Sequence, residues 1–272
     1  MTRALLLGTT GIAVAFGMLA FGYLAGKPQT AMASEPTPVV QAASASNIDR
    51  SEIELIVRDY LINNPEILIE MQTALEARQK EEQRISQLGI IKEAREAIFD
   101  AAHDGVVGNP NGSVTIVEFY DYNCGFCKRA MEDMLALTAA DPDLRFVLKE
   151  FPILGPDSQK AHVVSQAFLK LMPEKFGEFH NQLLGAPGRA GEASAVKLAV
   201  SLGADEAKLR EAMKDPAITE AFAQTYDLAN KLAITGTPSY VVGNEVVFGA
   251  LGADVLTQKI ADAKSCIADK TC

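Results

Sequence analysis

The sequence predicts an α/β protein in which a small sheet is split by a long helical insertion and preceded by a helical segment. Three observations predict it. Residues 114 to 119, VTIVEF, form a β-branched and aromatic run that reads as a buried strand, and Lys128 to Ala140 follows with apolar residues at Met131, Met134, Leu135 and Leu137 in helical spacing. From Asp157 to Ala233 only helical signals occur. Strand signals then return as Ser239 to Val242 and Glu245 to Phe248, joined by Gly243-Asn244, the signature of a β-hairpin.

The length of 272 residues allows one or two domains, and 48% apolar residues are enough for a sizeable core. A net charge of −10 with no compensating basic block excludes nucleic acid as a partner and leaves proteins or small molecules. Arg3 followed by the apolar run Ala4 to Ala25 is an export signal. Residues 1–33 are therefore either a cleaved signal peptide, with Ala31-Met32-Ala33 as its site, or a retained anchor, since the run is long enough to span a bilayer. Arg3 keeps the N-terminus inside, so both place the remainder outside the cytoplasm, where four cysteines fit an oxidising space.

Lys27 to Asn47 is rich in Pro, Ser and Ala, and its part beyond the signal, residues 34–47, reads as a flexible linker. Residues 48–104 form the N-terminal helical segment. Ser51 to Glu54 fits a capping box, followed by Ile53, Ile56, Val57, Tyr60 and Leu61 at helical spacing. Asn64 and Pro65 then suit the N-cap and first position of a second helix, whose stripe continues through Leu68, Met71 and Leu75. The stripe lapses into charge from Glu76 to Arg84 and resumes at Ile85, Leu88 and Ile91, which predicts a solvated spacer between two apolar patches. Residues 48 to 75 read either as a hairpin packed on the catalytic domain or as a self-association module.

Residues 105–265 form the catalytic domain, with Asn109-Pro110-Asn111-Gly112 as the turn into its first recognised strand. After the strand RFVLKEF and Phe151-Pro152, an insertion of about 156–234 holds helices at Ser158 to Met172, Glu174 to Leu184, Ser194 to Leu202, Asp205 to Met213 and Asp215 to about Leu232. Asp254 to Lys264 is a closing helix, and 266–272 a tail.

The chemistry lies in the strand-to-helix handover. Cys124 and Cys127 stand there in CxxC spacing. The first helical turn offers unpaired N–H groups and the positive end of the macrodipole, which favour a thiolate at Cys124, while Cys127 is more covered and can close back on it. Zinc would need a second ligand pair. The remaining cysteines, Cys266 and Cys272, lie at the far terminus and the three histidines do not cluster, so the pair reads as a two-electron redox switch. Cys266 and Cys272 are close enough in sequence to form a local structural disulfide.

The runs EFYDYNCGFC, KEFPILG and TGTPSYVVG together resemble the DsbA-like thioredoxin-fold proteins, in particular the suppressor-of-copper-sensitivity C (ScsC) branch, over about Ile48 to Ala263. The resemblance implies a thioredoxin fold with an inserted helical domain. It implies a cis bond between Thr237 and Pro238, whose loop lies against the cysteines and receives a client as an extra strand. It makes Glu118 the buried acid that moves the proton of the second cysteine. Lys149, on the strand RFVLKEF, is the candidate partner of Glu118 in tuning the redox pair, unless both point to solvent at the sheet edge. It further implies a periplasmic thiol:disulfide oxidoreductase without a cofactor, acting on folding or misfolded proteins, served by a membrane redox partner, and assembled as a homo-oligomer such as a trimer. His162 and His180 receive no role.

Three functions use Cys124 and Cys127: disulfide isomerase or reductase, dithiol oxidase, and Cu(I) binding on two soft thiolates. Gly125-Phe126 between the cysteines adds no positive charge, which predicts a weak oxidant, and Thr237 before the proline resembles the isomerase branch. The sequence thus favours isomerase or reductase, then oxidase, then copper handling.

Overall fold

The structure, a computed structural model, describes residues 49–269, so the expected signal and linker, residues 1–47, and Cys272 lie outside the described residues. The described residues divide into two units, 49–64 and 65–269. In the first, α1 (Arg50–Asn63) begins one residue before the expected capping box, and Asp49 takes the N-cap position without a side-chain cap bond. Ser51, now inside the first turn, donates to Asp49 Oδ2 at 2.7 Å. Asn64 ends this helix instead of starting the next: its backbone N–H and Nδ2 both donate to the Tyr60 carbonyl, at 2.9 and 2.8 Å. No residue of α1 is buried.

The second unit opens with α2 (Glu66–Glu93), 28 residues long, for which Pro65 is the N-cap. The charged stretch stays solvated, as expected of a helix polar all round. Only the C-terminal turns reach a core, where Ile91 is buried and Gln87 Nε2 donates to the Leu232 carbonyl at 2.8 Å. A short helix, α3 (Arg95–Phe99), buries Ile98 and Phe99. Next comes β1 (Gly105–Gly108), a strand that sequence reading did not find because GVVG is short and bounded by glycine. Gly105 is required there: a Cβ would fall 1.8 Å from Cε1 of Phe176.

Four further strands, β2 (Val114–Tyr120), β3 (Leu144–Glu150), β4 (Ser239–Val242) and β5 (Glu245–Phe248), complete a sheet of order β1-β3-β2-β4-β5. β2 and β3 are parallel and joined through α4 (Gly125–Ala140), while all other neighbours are antiparallel. The hairpin of β4 and β5 has the residues its turn chemistry predicts. Between β3 and β4 lies the insertion, with α5 (Pro156–Leu171), a 3-10 turn at Pro173–Lys175, α6 (Phe176–Gly185), α7 (Glu192–Ser201), α8 (Glu206–Ala212) and α9 (Pro216–Lys231). Asp205 and Asp215 cap α8 and α9 by accepting from Lys208 N–H and Ala217 N–H. The closing helix α10 (Ala253–Ala268) runs past Lys264 and includes Cys266.

Strand alternation sorts the core into two clusters. Ile116, Tyr120, Phe146, Leu148 and Tyr240 belong to the cluster that holds the two active-site cysteines and residues of α4, the insertion and α10. Val117, Phe119, Val147, Phe151 and Val241 pack on the other face with Ile91 of α2, Phe99 of α3 and Leu228 of α9. This parity corrects the expected pairing of Glu118 with Lys149. In the β2–β3 register Glu118 stands opposite Leu148 and Phe119 opposite Lys149, so the two charges point to opposite faces. Both are buried, and neither lies at a solvated edge.

Lys149 instead bonds the Asp104 carboxylate and the Ala97 carbonyl. Burial pushes the Asp104 carboxyl up to about 7 against the pull of Lys149, and burial lowers the Lys149 ammonium. An unpartnered ammonium at this depth is costly. Replacing Asp104 by Leu should cost about 3–5 kcal/mol in urea unfolding, and the double variant D104L/K149M should recover most of that loss. A cost under about 1 kcal/mol for the single variant would show that the pair is not a buried ionic contact.

Candidate active site

Cys124 is the N-cap of α4, with φ −80° and ψ 115°, and its own N–H donates to the Asp121 carbonyl at 3.0 Å. The antiparallel pairing of β2 with β4 brings the Thr237–Pro238 loop to the same place across more than a hundred residues. The Thr237–Pro238 bond is cis, and Cys124 Sγ lies 3.2 Å from the Thr237 carbonyl oxygen. Thr237 and Pro238 are therefore where the resemblance placed them. Neither cysteine of the pair is bridged, and Cys127 is fully buried one turn into α4. Phe126 between them is 57% exposed, with the Arg129 guanidinium 4.3 Å from its ring centroid.

This arrangement divides the two thiols. A hydrogen bond from Cys127, opposed by partial burial and assisted by the Thr237 side chain and the N–H groups of Cys127 and Phe126, lowers the Cys124 thiol to about 5. Burial, reinforced by the Cys124 sulfur and by Glu118, pushes the Cys127 thiol far up. Cys124 is a thiolate at neutral pH and Cys127 a thiol.

Glu118 lies under this pair on the α4 face of β2. Burial first, then the charges of Cys124 and Asp133, raise its carboxyl to about 8, so it carries a proton at neutral pH that it can give to Cys127 when that sulfur is a thiolate. Opposite Glu118 in β4, burial keeps the Tyr240 phenol protonated. Lys149 faces away and takes no part in this proton path. Cys266 is disulfide-bonded and sits on α10; its expected partner, Cys272, lies outside the described residues.

A polar floor beneath the site was not foreseen. Glu150, in register with Tyr120 and on its face, accepts from Ser165 Oγ at 2.6 Å and Tyr120 OH at 3.3 Å, with His162 Nδ1 at 3.0 Å. His162 Nε2 accepts the Tyr122 N–H at 3.3 Å, so Nδ1 carries the proton and donates to Glu150. His180 packs edge-on against Tyr120, 4.6 Å between centroids, and burial, with His162 assisting, lowers it to about 3. Both histidines are satisfied or neutral core groups. Strand parity alone pointed Glu150 inward, but its partners arrive from α5. A cavity of about 760 Å³ lined by Asp104, Gln166, Ile218 and others lies apart, and no residue of the thiol site borders it.

A thiolate at the head of a helix, with a covered thiol behind it and a proline-loop carbonyl in reach, is suited to exchange with disulfides. The sheet that carries it and the all-helical insertion make this a thioredoxin fold with an inserted helical domain. The chain belongs to the DsbA-like thioredoxin family: the model of the DSBA-like thioredoxin domain matches residues 115–261, and the Copper resistance protein ScsC N-terminal domain matches residues 49–82 ahead of it. A thioredoxin-like oxidoreductase from Silicibacter pomeroyi DSS-3 is 38% identical, covers 63% of this chain and 98% of its own, and superposes with a TM-score of 0.60. A linker-deletion mutant of Proteus mirabilis ScsC is 25% identical, covers 82% and 99%, and has a TM-score of 0.62. Among curated relatives, Disulfide bond formation protein D of Bacillus subtilis is 28% identical over 57% of this chain and 74% of its own length. The Na(+)/H(+) antiporter NhaA 3 of Salinispora tropica is 26% identical over 60% of this chain, which spans only 25% of that relative.

Two outcomes follow for the reduced protein. Iodoacetamide should label Cys124 with a half-maximal rate near pH 5 and leave Cys127 almost untouched at neutral pH; faster labelling of Cys127 would reverse the roles. Glu118 holds its proton up to about 8 when folded, against 4.5 for a free carboxyl, so its contribution to stability is full below 4.5 and is lost as pH rises through 8. Glu118→Gln removes that loss. Urea midpoints should therefore diverge in favour of the variant from pH 5 to 8, by at most about 1.4 kcal/mol per pH unit. Parallel pH curves would place the Glu118 proton elsewhere.

Proposed function

We propose that this protein is a periplasmic disulfide isomerase and reductase for misfolded proteins, working as a homo-oligomer. The Cys124 thiolate attacks one sulfur of a client disulfide, forming the bond Cys124–S–S–client and releasing the other client sulfur as a thiolate that takes a proton from solvent. In isomerisation that or another client thiolate attacks the mixed disulfide, expels Cys124 and leaves the client with a different bond, with no net change of electrons. In reduction Glu118 first releases its own proton to solvent, its carboxylate then takes the Cys127 proton, and the Cys127 thiolate attacks Cys124, so the client leaves as a second thiolate and the enzyme holds the two-electron disulfide. A membrane dithiol partner then returns the two electrons.

The observation that carries the isomerase reading is the apolar surface of the N-terminal helices. In α1, Leu55, Ile56, Val57, Tyr60 and Ile62 are at least half exposed, and in α2 so are Leu68, Ile69 and Met71. A helix of 14 residues with no buried side chain does not hold itself together in water, and a surface of this kind marks an interface. Association of several chains through residues 48–75 surrounds one client with several thiolates and raises their effective concentration.

Dithiol oxidase is the second reading, favoured by one specific observation. A Cys124 pKa of about 5 lies below the roughly 7 of thioredoxin and above the roughly 3.5 of DsbA, so the reduced form is moderately stabilised and oxidation of clients is open to it. Cu(I) handling ranks third, because it needs both sulfurs deprotonated and burial holds the proton on Cys127.

Deleting residues 1–83 should give a monomer by light scattering that keeps dithiol oxidation yet loses most, roughly tenfold or more, of the unscrambling of a scrambled multi-disulfide protein in glutathione buffer. Equal unscrambling per active site by the full chain and the monomer would detach association from isomerisation. No unscrambling by either would make oxidase the better reading.

A further inference from the structure

The turn that presents Cys124 is held from outside the sheet. Asp121 is fully buried, and its Oδ1 accepts the Asn123 N–H and the Ser158 hydroxyl, each at 2.8 Å. The Asn123 amide closes the ring, donating from Nδ2 to Ser158 Oγ at 2.9 Å. The other Nδ2 proton goes to the Ala190 carbonyl at 3.0 Å, and the Ala190 N–H comes back to Asn123 Oδ1 at 2.7 Å. Every donor and acceptor of this side chain is thus engaged in one orientation, which an aspartate, lacking N–H, could not reproduce. The Asp121 carbonyl accepts the Cys124 N–H, so the ring ends on the attacking residue itself. From the far side of the pair, Lys128 Nζ donates to the carbonyls of Ala186 and Gly188, at 2.8 and 3.2 Å. One loop of the insertion, 186–190, is therefore fastened to both flanks of the CxxC turn.

We propose that Asn123 is a positioning residue for thiol–disulfide exchange: it fixes the backbone of Cys124 to the helical insertion through Ser158 and Ala190, so that the poise of the redox pair depends on residues that never touch the sulfurs. The physical reason is directional. The Cys124 sulfur is served by N–H groups of Phe126 and Cys127 and by Thr237, which arrive from two separate elements and converge on one position. Hydrogen bonds weaken steeply with misalignment, so a Cys124 backbone free to shift loses them while the helix stays intact. The inference rests on the oxidoreductase reading and adds to it which part of the insertion sets the reactivity.

The test uses the full chain and the equilibrium in which the dithiol and glutathione disulfide exchange to give the Cys124–Cys127 disulfide and two glutathione thiols. Asn123→Ala should move that equilibrium about fivefold toward the enzyme disulfide, and Ser158→Ala about twofold in the same direction. In the double variant the shift should be smaller than the product of the two, because both open the same ring. An unmoved equilibrium with a lowered melting temperature would make Asn123 merely structural, and independent, multiplicative effects would equally overturn the proposal. If Asn123→Ala does not fold, Ser158→Ala alone decides: no shift counts against the proposal. Failure of the wild-type pair to equilibrate with glutathione at all would instead overturn the oxidoreductase reading, whatever the variants do.

Discussion

The structure is organised around the ionised sulfur at the head of α4. A thiolate close to a protein core is tolerated only where donors are aimed at it, and Cys124 draws them from its own helix turn, from Cys127 and from Thr237. Its helix supplies N–H groups because nothing precedes Cys124 in the i→i+4 ladder. Thr237 is there because β4 pairs with β2. The covered position of Cys127 completes the division of labour: one sulfur attacks, the other waits protonated until the mixed disulfide needs resolving.

Burial of charge on both faces of the sheet follows a common rule with opposite outcomes. On the α4 face, burial and the charges of Cys124 and Asp133 drive Glu118 to hold a proton, with its carboxyl raised to about 8. On the other face, Lys149 and Asp104 neutralise each other and close the junction of α3, β1 and β3. Glu150 is a third solution, satisfied by a hydroxyl, a phenol and a neutral histidine. A one-residue change of register would exchange these environments, which is why the parity of β2 and β3 matters to the chemistry as well as to packing.

The N-terminal helices obey a different constraint. Their apolar residues are spaced as in a buried helix and yet are exposed, and in sequence the charged run of α2 follows them. Such a segment gains little by folding alone, because a short helix with no buried face has only its own backbone bonds to offset the entropy of ordering.

By itself the sequence determined the class of fold and the heart of the site. CxxC at a strand-to-helix handover, the Gly243-Asn244 hairpin and the proline-punctuated helices of the insertion are local signals, each expressed within a few residues of the chain. The resemblance of EFYDYNCGFC and TGTPSYVVG to DsbA-like proteins supplied the pairing of Cys124 with Thr237 and Pro238, which spacing could not. What only the tertiary structure decided was which partner each buried polar group meets. Lys149 looked like a companion for Glu118 until the parallel register turned it to the opposite face and toward Asp104. Asn123, Ser158 and Ala190 carry no periodic signal, and β1 is too short and glycine-bounded to read as a strand. Those contacts join residues far apart in the chain, and their geometry exists only once the insertion has folded back over the CxxC turn.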